Sequence, residues 1–198
     1  MPGDSIPGPC PGRFLSPSRP KNQSETVKKA NGTYPMMAGG KLKVVVFGAY
    51  NAGKSTLIQT LDPSARHVEA HTGEGDTTIA LDYGRVVVHA LNVYLFGTPG
   101  QDRFEFVRQI IARGMDAAIL VVDCSVPPDE FTLHLYSAIS GQRVPLAVIL
   151  NKCDLPDACP ADLEKIFQNA MVFAVCARDK AAVTAALTRF IESFMKEL

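Results

Sequence analysis

The feature that most restricts how this chain can fold is a short loop. Gly48-Ala49-Tyr50-Asn51-Ala52-Gly53-Lys54-Ser55 follows the apolar run Leu42 to Phe47 and leads straight into Thr56-Leu57-Ile58, the start of a helical pattern. The spacing G-x-x-x-x-G-K-[ST] between a buried strand and a helix is that of a phosphate-binding loop. Gly48 and Gly53 allow backbone N–H groups, including those around Asn51, Ala52 and Thr56, to turn inward on a polyphosphate. Lys54 neutralises phosphate charge, Ser55 offers a hydroxyl to magnesium, and the helix N-terminus adds positive potential.

From Leu42 onward, short β-branched and aliphatic runs alternate with helical patterns, which predicts an α/β fold on a mostly parallel sheet with helices on both faces. Six strands are expected: Leu42 to Phe47, Thr78 to Val88, Leu91 to Phe96, Ala117 to Val122, Pro145 to Leu150 and Met171 to Val175. The connection at His89-Ala90 is too short for a crossover, so one strand should run antiparallel. Val183, Leu187, Phe190, Ile191, Phe194, Met195 and Leu198 recur at helical spacing and mark the core face of a final helix.

Residues 1–40 hold seven of the 14 prolines and six of the 15 glycines, a composition that reads as a disordered tail before a domain spanning 41–198. Twenty basic residues against twenty acidic ones give a net charge of +0, without the single-sign field of a nucleic-acid binder. No apolar stretch is long enough for a membrane helix and no lipid-anchor motif is visible. The five scattered cysteines, with no C-x-x-C pair, read as free thiols and point to the cytoplasm.

Asn151-Lys152-Cys153-Asp154 follows the apolar strand at Leu146 to Leu150, at the end of the sheet where such folds bind ligands. A carboxylate at Asp154 can accept from both N1–H and the 2-amino group of guanine, whereas adenine offers neither donor. Lys152 would lie along the purine, and Asn151 would tie this loop to the phosphate loop.

With these motifs in this order, residues 41–198 resemble the Ras-like small GTPases, within the P-loop NTPase fold. The likeness is nearest to the prokaryotic group that includes gliding-motility polarity GTPases, through Thr77-Thr78-Ile79-Ala80-Leu81-Asp82-Tyr83-Gly84 and Leu95-Phe96-Gly97-Thr98-Pro99-Gly100-Gln101-Asp102-Arg103-Phe104. The resemblance implies GTP and GDP as ligands and magnesium held by Ser55 and Thr78. It implies a Gly100 N–H on the γ-phosphate, and catalysis by Gln101 with Lys54 and Thr78. It also makes Cys176-Ala177-Arg178 a further guanine loop, the Ala177 N–H facing the base oxygen, and implies a roadblock-type activating partner and a downstream effector.

Two departures stand out. Gly97 occupies the place where the family pattern D-x-x-G has an aspartate, and Tyr50-Asn51 replace two glycines, so a Ras-type arginine finger would meet side chains. Asp123, at a strand end, reads as a loop cap with a metal role as the alternative; Arg66, Arg103 and Arg108 read as solvated, with a cis arginine for the γ-phosphate as the alternative; His67 and His71 fall in a polar loop before Thr77. A slow GTPase switch is therefore expected, with a non-hydrolysing GTP-binding scaffold as the rival. A metabolite kinase or ATPase is disfavoured by Asp154 and by the lack of a lid insertion.

Overall fold

The structure is a computed structural model that describes residues 40–72 and 77–195, with side-chain detail outside 69–80. In chain order the elements are β1 (Lys41–Phe47), α1 (Lys54–Leu61), β2 (Arg66–Thr72), β3 (Thr77–Val88), β4 (Leu91–Gly97), a 3-10 turn (Asp102–Phe104) and α2 (Glu105–Ala112). They continue with β5 (Ala117–Asp123), α3 (Glu130–Ser140), β6 (Leu146–Asn151), α4 (Pro160–Ile166), β7 (Met171–Ala174) and α5 (Lys180–Met195). One sheet runs in the order β2-β3-β4-β1-β5-β6-β7.

Continuous apolar sequence explains the middle of this sheet, because strands covered on both faces have no polar side to show. β6 is buried along its whole length, and β5 along all of it except Asp123. One face packs on α1 and α5 through Leu57, Ile58, Val183, Leu187, Phe190 and Ile191. The other packs on α3 and α4 through Leu135, Ile139 and Leu163, with Phe167 fully enclosed. Asp129 caps α3 by accepting the Thr132 N–H at 2.8 Å, and Pro160 starts α4, where a missing N–H costs nothing.

His89 and Ala90 both have positive φ, 47° and 65°, the pair of conformations that lets a two-residue turn follow the strand twist. Antiparallel pairing then runs from Val88↔Leu91 to Tyr83↔Phe96.

The sheet has seven strands where six were expected. Arg66–Thr72, read from sequence as polar loop, pairs antiparallel with β3 from Arg66↔Tyr83 to Thr72↔Thr77. An edge strand bonds to the ladder on one side only and can carry charged and polar residues, so it leaves no apolar run to find. β3 opposes both of its neighbours and remains the one antiparallel strand. Smaller differences fall at strand ends: Pro145 precedes β6, and Val175 follows β7. The tail expected over 1–40 lies outside the described residues except for Gly40, as does Leu198. Among the described residues, no helix is long and apolar enough to cross a membrane.

Candidate nucleotide site

β1 delivers the chain to Gly48, where φ is +146° and an added Cβ would lie 2.4 Å from the Val121 carbonyl oxygen. At Gly53, φ is +102° and a Cβ would meet Asn151 Nδ2 at 2.1 Å. Both positions therefore require glycine. Lys54, almost fully buried, donates to the carbonyls of Gly48 at 2.9 Å and Ala49 at 2.7 Å, which leaves one of its three N–H groups for a phosphate oxygen. Burial lowers its pKa to about 8, partly opposed by the Asp82 carboxylate and reinforced by the Arg108 charge.

Beside Lys54, Ser55 donates its hydroxyl to Asp82 Oδ2 at 2.5 Å. Asp82 comes from β3 and is buried, with its other oxygen, Oδ1, 2.7 Å from His67 Nδ1 on β2. Carrying the register Tyr83↔Phe96 on by one residue sets Asp82 opposite Gly97. A Cβ on Gly97 would stand 3.1 Å from Asp82 Cβ and 3.3 Å from its Oδ2. The space left by the missing aspartate of β4 is thus bordered by an aspartate from the neighbouring strand. Sequence reading passed over Asp82 because a lone polar residue in an alternating strand looks like one turned to solvent.

The segment after β4 lies on the phosphate loop. Thr98 is fastened by two bonds to the Val46 carbonyl, from its N–H at 2.9 Å and its hydroxyl at 3.1 Å. Gly100 packs so closely that a Cβ would be 2.6 Å from both the Tyr50 nitrogen and Lys54 Nζ. Arg108, read from sequence as solvated, is instead buried. Its guanidinium donates to the carbonyls of Gln101 at 2.5 Å and Asp102 at 3.0 Å, reaches towards Pro99 at 3.5 Å, and stacks over Phe131 of α3. The burial follows from its place on α2 facing the preceding loop, whose Gln101 and Asp102 carbonyls have no strand to pair with. Arg66 and Arg103 are exposed.

Asn151 joins three loops. Its Nδ2 donates to the Ala52 carbonyl at 2.8 Å, while its Oδ1 accepts the Ala177 N–H at 2.7 Å. Lys152, at φ 64°, donates to Asp123 Oδ2 at 2.5 Å. Burial pushes the Asp123 carboxyl up, but its bonds from Lys152 and Ser125 outweigh that and hold it below the ordinary range. Cys153 and the buried Cys124 bring their sulfurs to 3.1 Å. Burial and a hydrogen bond to the exposed Asp154 push the Cys176 thiol up.

Comparison with known proteins decides the family. Residues 41–192 match the Elongation factor Tu GTP binding domain. The chain belongs to that family. This GTP-binding domain is 31% identical over 144 residues to the uncharacterized protein MJ1339 of Methanocaldococcus jannaschii, covering 73% of this chain and 91% of that one. It is 32% identical over 117 residues to translation initiation factor IF-2 of Thermotoga sp. strain RQ2, covering 58% of this chain but only 16% of the factor. In fold it is similar to the Arl6 BBS3 small GTPase of Trypanosoma brucei, with TM-score 0.58, 24% identity, and 80% and 99% of the two chains covered. The G domain of the T. maritima FeoB iron transporter gives TM-score 0.60, 19% identity and coverage of 77% and 98%.

Within this GTP-binding domain, the fold brings Gly48, Asn51, Ala52, Gly53, Lys54, Ser55, Gly100 and Asn151 around one loop, with Lys152, Asp154 and Cys176 beyond Asn151. The structure also gives the positions of three further residues of the sequence reading. The Ala177 N–H, offered by resemblance to the base oxygen, is given to Asn151. Asp123 caps the loop at Ser125, as its place at a strand end suggested, and also accepts from Lys152. Thr78 sits in the β ladder opposite His71, four residues before Asp82, so extended geometry separates their Cα atoms by about 13 Å. Hairpin pairing with β2 carries the Thr78 backbone along the strand, away from Asp82. Among the described residues, no group of three or more His, Cys, Asp and Glu side chains is placed to hold a metal by itself.

Proposed function

We propose that this GTP-binding domain is a molecular switch that takes GTP with magnesium and hydrolyses it slowly to GDP and phosphate. The observation that carries the reading is the 2.5 Å contact between Ser55 and Asp82 beside Gly97. It returns a carboxylate to the phosphate loop of a chain that lacks one at the expected place. Hydroxyl, carboxylate and phosphate oxygens suit magnesium, which needs few protein ligands and keeps several waters. Ser55 would be a direct ligand and Asp82 would hold a metal-bound water. When bound, the ion would neutralise phosphate charge.

The remaining work belongs to the chain. Lys54 binds phosphate oxygens, the Gly100 N–H meets the γ-phosphate, and Gln101 orients the attacking water. Thr78 joins the site when the first residues of β3 leave the ladder. Asp154 selects guanine by accepting from N1–H and the 2-amino group, with Lys152 along the purine and Asn151 holding the loops together. Gln101 is exposed, so hydrolysis waits for a partner that orders it or lends an arginine. The likeness of both switch segments to the gliding-motility group favours a roadblock-type activator, with a separate effector and a cytoplasmic setting. Tyr50, 77% exposed on the phosphate loop, would obstruct an arginine entering in the Ras manner.

Single-turnover hydrolysis of GTP tests the reading. Turnover on a scale of about minutes to hours, dependent on magnesium and lost in Asp82→Asn and Gln101→Leu, is the expected result. The rival, a GTP-binding scaffold, rests on Gly97. Tight GTP binding with no magnesium-dependent turnover, even with a candidate activator present, would establish it.

A further inference from the structure

Gly97, Asp82 and His67 form a row across three adjacent strands, β4, β3 and β2. His67 and Asp82 are direct cross-strand partners in the β2–β3 register. Asp82 leans past Gly97 to reach Ser55 at the start of α1, and the Cβ-to-Ile58 Cδ1 spacing of 3.1 Å at Gly97 shows how closely α1 covers this row. Asp82 thus spans between Ser55 on one side and β2 on the other. His67 supplies the β2 contact: its Nδ1 lies 2.7 Å from Oδ1 while Oδ2 meets Ser55.

We propose that His67 is a positioning residue for the magnesium site, fixing the Asp82 carboxylate so that Oδ2 faces Ser55. An ionised carboxylate only accepts hydrogen bonds, so Nδ1 must carry the hydrogen in this pair. The Asp82 side chain is only 10% exposed, with the 44% exposed His67 ring at its Oδ1, so the imidazole stands between this carboxylate oxygen and solvent. With His67 removed, the carboxylate is free to rotate about its last torsion and present a different edge to Ser55. Partners that orient a metal-site carboxylate in this way typically account for about 10–100-fold in metal affinity or activity.

The inference rests on Asp82 serving the magnesium site, and the test separates the two. GDP dissociation is measured against magnesium concentration, and again in excess chelator, for the full-length protein and for His67→Leu, His67→Asn and Asp82→Asn. Asn places an amide N–H where Nδ1 stands, whereas Leu offers no donor. The expected result is that His67→Leu raises the magnesium concentration giving half-maximal retention of GDP by about tenfold, while dissociation in chelator stays within about twofold of the parent. His67→Asn should restore most of the magnesium response. His67→Leu added to Asp82→Asn should cause no further loss, since both act through one carboxylate. If Asp82→Asn leaves the magnesium response unchanged, the assignment of Asp82 fails and the proposal falls with it. If Asp82→Asn weakens it and His67→Leu does not, only the role of His67 is overturned. An equal loss for His67→Leu in magnesium and in chelator would mark a general weakening of the edge strand and would also overturn the proposal.

Discussion

Asp82 and Gly97 are complementary across the β3–β4 ladder: the bare Cα of one leaves the room that the carboxylate of the other borders, with 3.3 Å between a would-be Cβ and Oδ2. The pair amounts to one functional carboxylate moved sideways by one strand, a spacing of about 4.8 Å.

That relationship predicts a transplant. Gly97→Asp alone crowds Asp82 and Ile58 and sets two carboxylates side by side, costing about 1–3 kcal/mol and giving no gain in magnesium response. Asp82→Gly should lose the magnesium dependence of GTP turnover. The double variant Asp82→Gly/Gly97→Asp should recover most of it and unfold in urea close to the parent. A double variant no better than Asp82→Gly would show that the two positions are not interchangeable.

Arg108 holds the carbonyls of the loop that carries Gln101. Arg108→Met keeps much of the volume but orphans these acceptors, so a loss of about 2–3 kcal/mol is expected in urea denaturation. Turnover should fall about tenfold or more while GDP affinity changes little, because the loop that Arg108 anchors belongs to hydrolysis. A parallel fall in both quantities would contradict this division.

Lys54 sets a pH dependence. In the nucleotide-free protein its pKa is about 8, below the 10.5 of an unburied lysine, and a bound polyphosphate favours the ammonium. Binding above pH 8 must then take up a proton, so GDP affinity should fall as pH rises from 8 to 9.5, by up to about tenfold per unit. Stability of the nucleotide-free protein moves the other way. Between about 8 and 10.5 the unfolded chain holds more protons at this group than the folded one, so its contribution to stability increases with pH. Fluorescence titration with a GDP analogue across this range checks the first part, and a flat profile would count against it.

Asn151 is nearly inaccessible and bridges the Ala52 carbonyl and the Ala177 N–H. Asn151→Ala leaves both unpaired, so a loss of about 2–4 kcal/mol is expected, with faster GDP release. Asn151→Asp should fare no better, since a second acceptor would face the Ala52 carbonyl. Thermal unfolding with and without GDP distinguishes a local loosening from a global loss.

What the sequence determined by itself was whatever chemistry lies along a short stretch of chain. The loop from Gly48 to Ser55 is a local backbone path whose glycines are required at φ +146° and +102°, so its spacing alone names its shape. Asn151-Lys152-Cys153-Asp154 was legible for the same reason, and the central strands were legible because burial on both faces makes them uniformly apolar. The pairings between distant strands were decided only by tertiary structure. Strand register sets Asp82 beside Gly97 and His67, and each looks ordinary in its own strand. β2 depends on hydrogen bonds to β3 rather than on any apolar pattern, and its pairing is what fixes the Thr78 backbone in the ladder. The burial of Arg108 and the diversion of the Ala177 N–H arise because unpaired carbonyls and side-chain oxygens take whichever donor the fold brings near, a choice made in space and not along the chain.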